Sequence, residues 1–315
     1  MRATALLATV VLPGAAAVSL AASAAGAAPI RIAGAGIYPE SLTSSVDGTL
    51  YVGSLGGTIY RALPHRATAE PWIRRTAQNG LLSVFGVLAD DRHRSLWVCT
   101  SPARLPGGVP SGTPAVLVFD LRSGARTRYV PLPSTRSICD DIALASDGAA
   151  YVADIGTGAI WRLVPRAKAP TLFAHDAALA GIDGIAFAAD GRLYVDSITH
   201  NRILRVERRA DGTFAGLTAL STSAPLAGPD GLRPIDGNRF ALAEGRAGRI
   251  DEITVTGNSV TVRVLAYGLQ SPAGVTYHRG TVYAADGKIG YLFDPRLRGR
   301  DPGTFYVHAI PTAQP

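Results

Sequence analysis

The chain has two cysteines, one methionine and six histidines in 315 residues. So few thiols exclude a disulfide-dense scaffold and a thiolate metal cluster. The histidines and cysteines show no zinc-ligand spacing. No Gly-x-Ser-x-Gly occurs, and no Ser-His-Asp set shares a register, so nothing points to a serine nucleophile. A phosphate-cradling loop and a dinucleotide fingerprint are also missing. No helical periodicity of useful length appears, which argues against a helix-built fold.

Long apolar runs are scarce as well. The one example, "ATALLATVVLPGAAAVSLAASAAGAAP", follows Met1 and Arg2. A single positive charge, an apolar stretch and small residues ahead of Pro29 read as a secretory signal over residues 1–28. Cleavage after Ala24 or Ala27 fits its Ala-rich end. The alternative, an uncleaved membrane anchor, is opposed by Pro13 and the many alanines. Residues 29–315 are then expected to be secreted or periplasmic, with no membrane attachment after cleavage. The formal charge is +7, but the basic residues are mostly scattered arginines. No cluster interleaves with aromatics, so a nucleic-acid partner is not expected.

What the chain does have is glycine, proline and repetition. Its 35 glycines and 21 prolines imply many tight turns. Four stretches align on a turn: "PESLTSSVDGTLYVGS" (39–54), "CDDIALASDGAAYVAD" (139–154), "IDGIAFAADGRLYVDS" (182–197) and "PDGLRPIDGNRFALAE" (229–244). Two weaker copies are "VFGVLADDRHRSLWVCT" (84–100) and "PAGVTYHRGTVYAAD" (272–286). Corresponding first positions fall at 40, 85, 140, 183, 230 and 273, a step of 43 to 55 residues. A repeat of this period signals a repeat architecture. Each copy reads as strand, tight turn, strand. A third strand follows, such as "GTIYRA" (57–62) or "GKIGYLF" (287–293), and often a fourth. Six four-stranded antiparallel units predict an all-β fold, a six-bladed β-propeller. Either 30–34 or 304–310 completes the outer edge of the last unit.

In such a ring the first strand of each unit lies nearest the axis. Glu40, Asp140, Asp183 and Asp230 stand seven residues before their turn, or six in the fifth unit. All four are expected at one mouth of the channel. An acid near glycine at a strand start is also ordinary turn chemistry. Four in one register point further. Uncompensated, they repel one another and lose solvation. A hard cation removes that cost. Ca²⁺ accepts carboxylates and waters in irregular geometry, whereas Mg²⁺ prefers a strict octahedron; another divalent cation remains an alternative.

These units resemble the SMP-30/gluconolactonase/luciferin-regenerating-enzyme family of calcium-dependent propellers, over nearly all of residues 29–315. The resemblance implies an exported, gluconolactonase-like hydrolase of lactones or related esters, with a small-molecule substrate. Glu40 matches the family's metal-binding glutamate. Asp140 and Asp183 match asparagine ligands. Asp230, in "GPDGLR", matches an aspartate that is both ligand and general base. On that reading Ca²⁺ polarises the carbonyl and Asp230 takes a proton from water. Asp141 either holds a ligand from behind or is a solvated or backbone-bonded turn residue. The departures are aspartates at both asparagine positions and "PES" where the family has "EGP". Added negative charge tightens calcium and weakens its pull on a carbonyl. It therefore favours a second reading, a non-catalytic NHL-like propeller acting as a binding module.

Other candidates carry alternatives. Phe85 takes the acid position in the second unit and could form a substrate wall. His200 could contact substrate or be an exposed hairpin residue. Arg233 could meet an anionic substrate or pair with an acid at the core edge. Cys99 and Cys139 end and begin strands of adjacent units at the same mouth. A disulfide is feasible there if their Cα atoms lie within about 4.4–6.8 Å.

Overall fold

The computed structural model describes residues 28–103 and 111–312. The expected signal at 1–28 therefore falls almost wholly outside the described residues. No described helix is long and apolar enough to cross a membrane.

The fold is all-β. Among the described residues, three sheets have four strands, one has five and one has eight. The strand pairs form where apolar residues alternate around an acid-led turn. Asp47 and Asp147 each accept the backbone N–H two residues on, at 2.8 and 2.9 Å. Gly48 and Gly148 take the left-handed conformation that follows, with φ of 91° and 80°. The second unit lacks this turn and substitutes a 3-10 turn over Asp91–His93.

The eight-stranded sheet joins the chain ends. Ile30–Ile32 pairs in parallel with Thr68–Arg74 and antiparallel with Tyr306–Pro311. Both terminal segments thus complete the last unit, Tyr306–Pro311 as its third strand and Ile30–Ile32 as its outer one. The expected third strand at 287–293 is corrected: Gly290–Phe293 is a short helix. The chain leaves the sheet at Gly287, and Lys288 has φ of 51°, incompatible with a strand. The Lys288 ammonium then ties this excursion down, donating to the carbonyls of Pro302 and Thr304.

Six strands form the innermost layer: Pro39–Ser44, Ser83–Asp90, Cys139–Leu144, Ile182–Phe187, Pro229–Asp236 and Pro272–His278. Each packs against two others, and the cycle closes, Pro272–His278 lying against Pro39–Ser44. Six apolar clusters fill the seams between successive units. One packs Tyr51 and Ile59 against Val84 and Leu96, and another packs Ala241 and Ile250 against Val275 and Val282. The sheets are therefore held face to face by ordinary apolar burial.

A recurrent bond fixes each inner strand's start. The residue at or next to the end of the second strand reaches back to the backbone that enters the first. Asp154 accepts from Ile138 N at 2.9 Å, and Asp286 from Gln270 N at 2.8 Å. Ser197 donates to Ala180 O at 2.8 Å, and Thr100 accepts from Leu82 N at 2.8 Å. Ser54 and Glu244 bond Ile37 O and Ala227 N in the same way.

Candidate metal centre

Every inner strand begins with a β-bulge, and the bulge falls on the position singled out by the repeat. Register shifts occur between Pro39 and Ser41, Val84 and Gly86, Cys139 and Ile142, Ile182 and Ile185, Pro229 and Leu232, and Pro272 and Val275. A bulge lifts a residue out of the ladder and re-aims its side chain. The residues so presented are Glu40, Phe85, Asp140, Asp183, Asp230 and Ala273. The first five line one narrow cavity at the mouth of the ring.

The next position packs the ring. Gly86, Gly184, Gly231 and Gly274 lie so close to the neighbouring inner strand that a Cβ would stand 2.3–2.6 Å from its backbone. Only glycine permits that approach. Ser41 and Asp141 occupy the remaining two positions and bridge instead. Ser41 Oγ accepts from Val87 N at 3.0 Å, and Asp141 Oδ2 from Ile185 N at 3.2 Å.

The electrostatics follow from crowding. Asp140, Asp183 and Asp230 are 6%, 8% and 9% exposed. Burial pushes the Glu40 carboxyl up to about 8, with repulsion from Asp183 adding to it. Burial also raises Asp183 to about 7, against hydrogen bonding from Asp140 and Asp230 on either side. Asp140 and Asp230 are raised well above the usual carboxylate range, by burial first and by Asp183 second. Four acids held at such cost require a counter-charge to ionise together.

Among the described residues, no three His, Cys, Asp or Glu side chains stand in a ready coordination cage. The carboxyl groups face one another instead, Asp183 within bonding reach of both neighbours. The chemistry of the set nevertheless fits a hard cation. All four donors are carboxyl oxygens, and the buried Glu40 Oε2 has no hydrogen-bond partner.

The remaining candidates separate. Phe85 lines the cavity half-buried, and Asp141 lines it 5% exposed. Arg233 also borders it, but its guanidinium is committed to Asp141 through contacts of 2.5 and 2.7 Å. The expectation that it faces an anionic substrate is corrected in favour of the ion pair, because both terminal nitrogens are already engaged by Asp141 and backbone carbonyls. His200 is exposed in the turn after Leu193–Ser197, outside the cavity lining. Cys99 and Cys139 are joined in a disulfide, Cα atoms 5.0 Å apart, both buried beside Asp140.

One residue escaped sequence reasoning. Asp196 is fully buried, accepts from Gly184 N at 3.1 Å, and leaves Oδ2 without a partner. Burial raises its pKa well above normal, and Asp183 raises it further. The signal was available. The equivalent position holds Gly53, Cys99, Ala153, Ala243 and Ala285 in the other units. An acid there breaks an otherwise small or apolar column.

Comparison with known proteins agrees with the fold. A family model described as "Strictosidine synthase-like, N-terminal" matches residues 25–62, the stretch that contains Glu40. The comparison with curated proteins returned no match. Among solved structures, a luciferin-regenerating enzyme is similar at 14% identity and a TM-score of 0.67, covering 89% of this chain and 93% of that one. A gluconolactonase from Xanthomonas campestris is similar at 17% identity and a TM-score of 0.62, covering 88% and 87%. A virginiamycin B lyase from Staphylococcus aureus is similar at 15% identity and a TM-score of 0.58, covering 90% and 98%. The fold is that of the β-propellers, and two of these relatives bear the names of the family that the repeats resemble.

Proposed function

We propose that the chain is a six-bladed propeller and an exported, calcium-dependent hydrolase of lactones or related esters. The closed cycle of six inner strands supports the blade count. One observation carries the activity: Glu40, Asp140, Asp183 and Asp230, distant in sequence, line one cavity on the axis. These four would hold the ion. Bound there, Ca²⁺ supplies a Lewis acid for the scissile carbonyl.

The chain's own groups do the rest. Asp230, ionised beside a cation, takes a proton from the attacking water. Phe85 gives the mouth an apolar side that limits water access. Asp141, bonded to Arg233 and Ile185 N, keeps its strand in register. Residues 1–28 direct export, a compartment in which the Cys99–Cys139 disulfide persists.

A second reading, a binding module, is favoured by one observation. Among the described residues lining the cavity, the one guanidinium has both terminal nitrogens engaged, by Asp141 and backbone carbonyls, so no other cationic side chain there is directed at an anionic group. Turnover of a panel of lactones and aryl esters, with Ca²⁺ and with chelator, decides between them. Calcium-dependent turnover that falls at least about a hundredfold in Asp230→Asn is expected. Thermal stabilisation by Ca²⁺ without turnover of any ester would replace the hydrolase by the binding module.

A further inference from the structure

The Asp141–Arg233 pair links the backbone of four successive inner strands. Arg233 lies three residues after Asp230, Asp141 one after Asp140, Ile185 two after Asp183 and Val87 two after Phe85. Arg233 Nη1 donates to Asp141 Oδ2 at 2.5 Å and Nη2 to Oδ1 at 2.7 Å, a two-pronged contact. The same nitrogens reach Leu232 O at 2.9 Å and Val87 O at 3.1 Å. Asp141 Oδ2 also accepts from Ile185 N at 3.2 Å. A second grip on that strand comes from Asp196, which accepts from Gly184 N at 3.1 Å.

We propose that the Asp141–Arg233 pair is a positioning device that sets the spacing of the Asp140, Asp183 and Asp230 carboxyl groups, and with it the cation size the mouth accepts. This rests on reading the mouth as a cation site. Bridging two inner strands needs no charge, because Ser41 does so in the first unit with one hydroxyl. A buried ion pair is also a weak source of net stability, since desolvation offsets attraction. The charged pair does something the serine does not: the rigid planar fork of Arg233 ties its own strand and the Val87 strand to Asp141, while Asp141 also holds the Ile185 strand. With side chains only 7% and 8% exposed, it is not loosened by water. A ring spaced by fixed backbone cannot contract to the short, strictly octahedral distances of Mg²⁺, whereas Ca²⁺ accepts longer and less regular ones.

Two variants test this. Arg233→Lys keeps the charge and loses the fork. The double variant Asp141→Asn/Arg233→Gln keeps hydrogen-bonding partners without burying a lone charge, so it carries the test if the lysine variant fails to fold. Folding is read by cooperative melting in chelator. Ca²⁺ and Mg²⁺ affinities are read by titration calorimetry on the intact chain. The expected result is Ca²⁺ binding weakened by at least about tenfold, with a lower ratio of Ca²⁺ to Mg²⁺ affinity. A folded variant with both affinities within about twofold of the parent, a change of only a few tenths of a kcal/mol, overturns the positioning role and leaves the cation site standing. A parent chain that binds neither ion overturns both.

Discussion

Gly86 lies against Asp140 so closely that a Cβ on Gly86 would stand 2.3 Å from the Asp140 carbonyl oxygen. The obstacle is backbone, which cannot swing away as a side chain can. Gly86→Ala must therefore open the seam between the second and third units at the mouth. We expect a loss of stability of about 1–3 kcal/mol, as for overpacking elsewhere. Calcium affinity should fall with it, because Asp140 moves with its carbonyl. Denaturant unfolding with and without Ca²⁺ checks both. An alanine variant as stable as the parent would show that the seam is looser than it looks.

The acids predict an unusual pH dependence. Glu40 titrates near 8 and Asp183 near 7 in the folded protein. Both titrate near about 4 when unfolded. The folded state thus holds more protons between those values, so stability falls as pH rises through this window. In chelator, the melting temperature should drop between about pH 5 and pH 9. Saturating Ca²⁺ should flatten the curve by replacing the protons. Melting curves across that range, in both conditions, give the answer; a chelated protein that gains stability toward pH 9 would contradict the crowded ring.

The ring of acids was legible because a repeat carries its own register. Once Glu40, Asp140, Asp183 and Asp230 align on their turns, any closed array of those units brings them together. The bulges were not legible, because a bulge is a mismatch in register between two paired strands, and one strand's sequence does not show its partner's register. An ion pair for Arg233 was legible only as one alternative with no partner named, and Asp141 was not legible as that partner, since two residues 92 apart share a contact that no local pattern encodes. Asp196 was readable in principle, as the one acid in a column of small residues. The segment 287–293 misled because "GKIGYLF" alternates like a strand, while the positive φ of Lys288 comes from how the excursion folds back. Closure of the last sheet needed both chain ends, a non-local fact.

The disulfide closes a long loop, its cysteines 40 residues apart in sequence. Chain-entropy reasoning gives about 2–4 kcal/mol for such a link. Cys99→Ala/Cys139→Ala should therefore unfold at a melting temperature lower by roughly 5–15 °C. Because Cys139 adjoins Asp140, calcium should restore part of the loss. Reductant alone should act slowly on the folded protein, since both sulfurs are buried. A double variant with parental stability would mean that the link adds nothing that packing does not already supply.

Asp196 should affect the metal-free and metal-bound proteins in opposite senses. Its carboxyl sits beneath Asp183 with one oxygen unpartnered. Without a cation, ionising it adds to the repulsion in the ring. With one, its charge draws the cation in. Asp196→Asn keeps an oxygen to accept the Gly184 N–H and removes only the charge. In chelator the variant should lose less stability as pH rises than the parent does. Calcium binding should weaken by about tenfold, the low end for groups that support metal ligands from behind. Melting curves in chelator and calcium titrations on the same preparation measure the two effects. Movement of both in the same direction would mean that Asp196 acts through packing and not through charge.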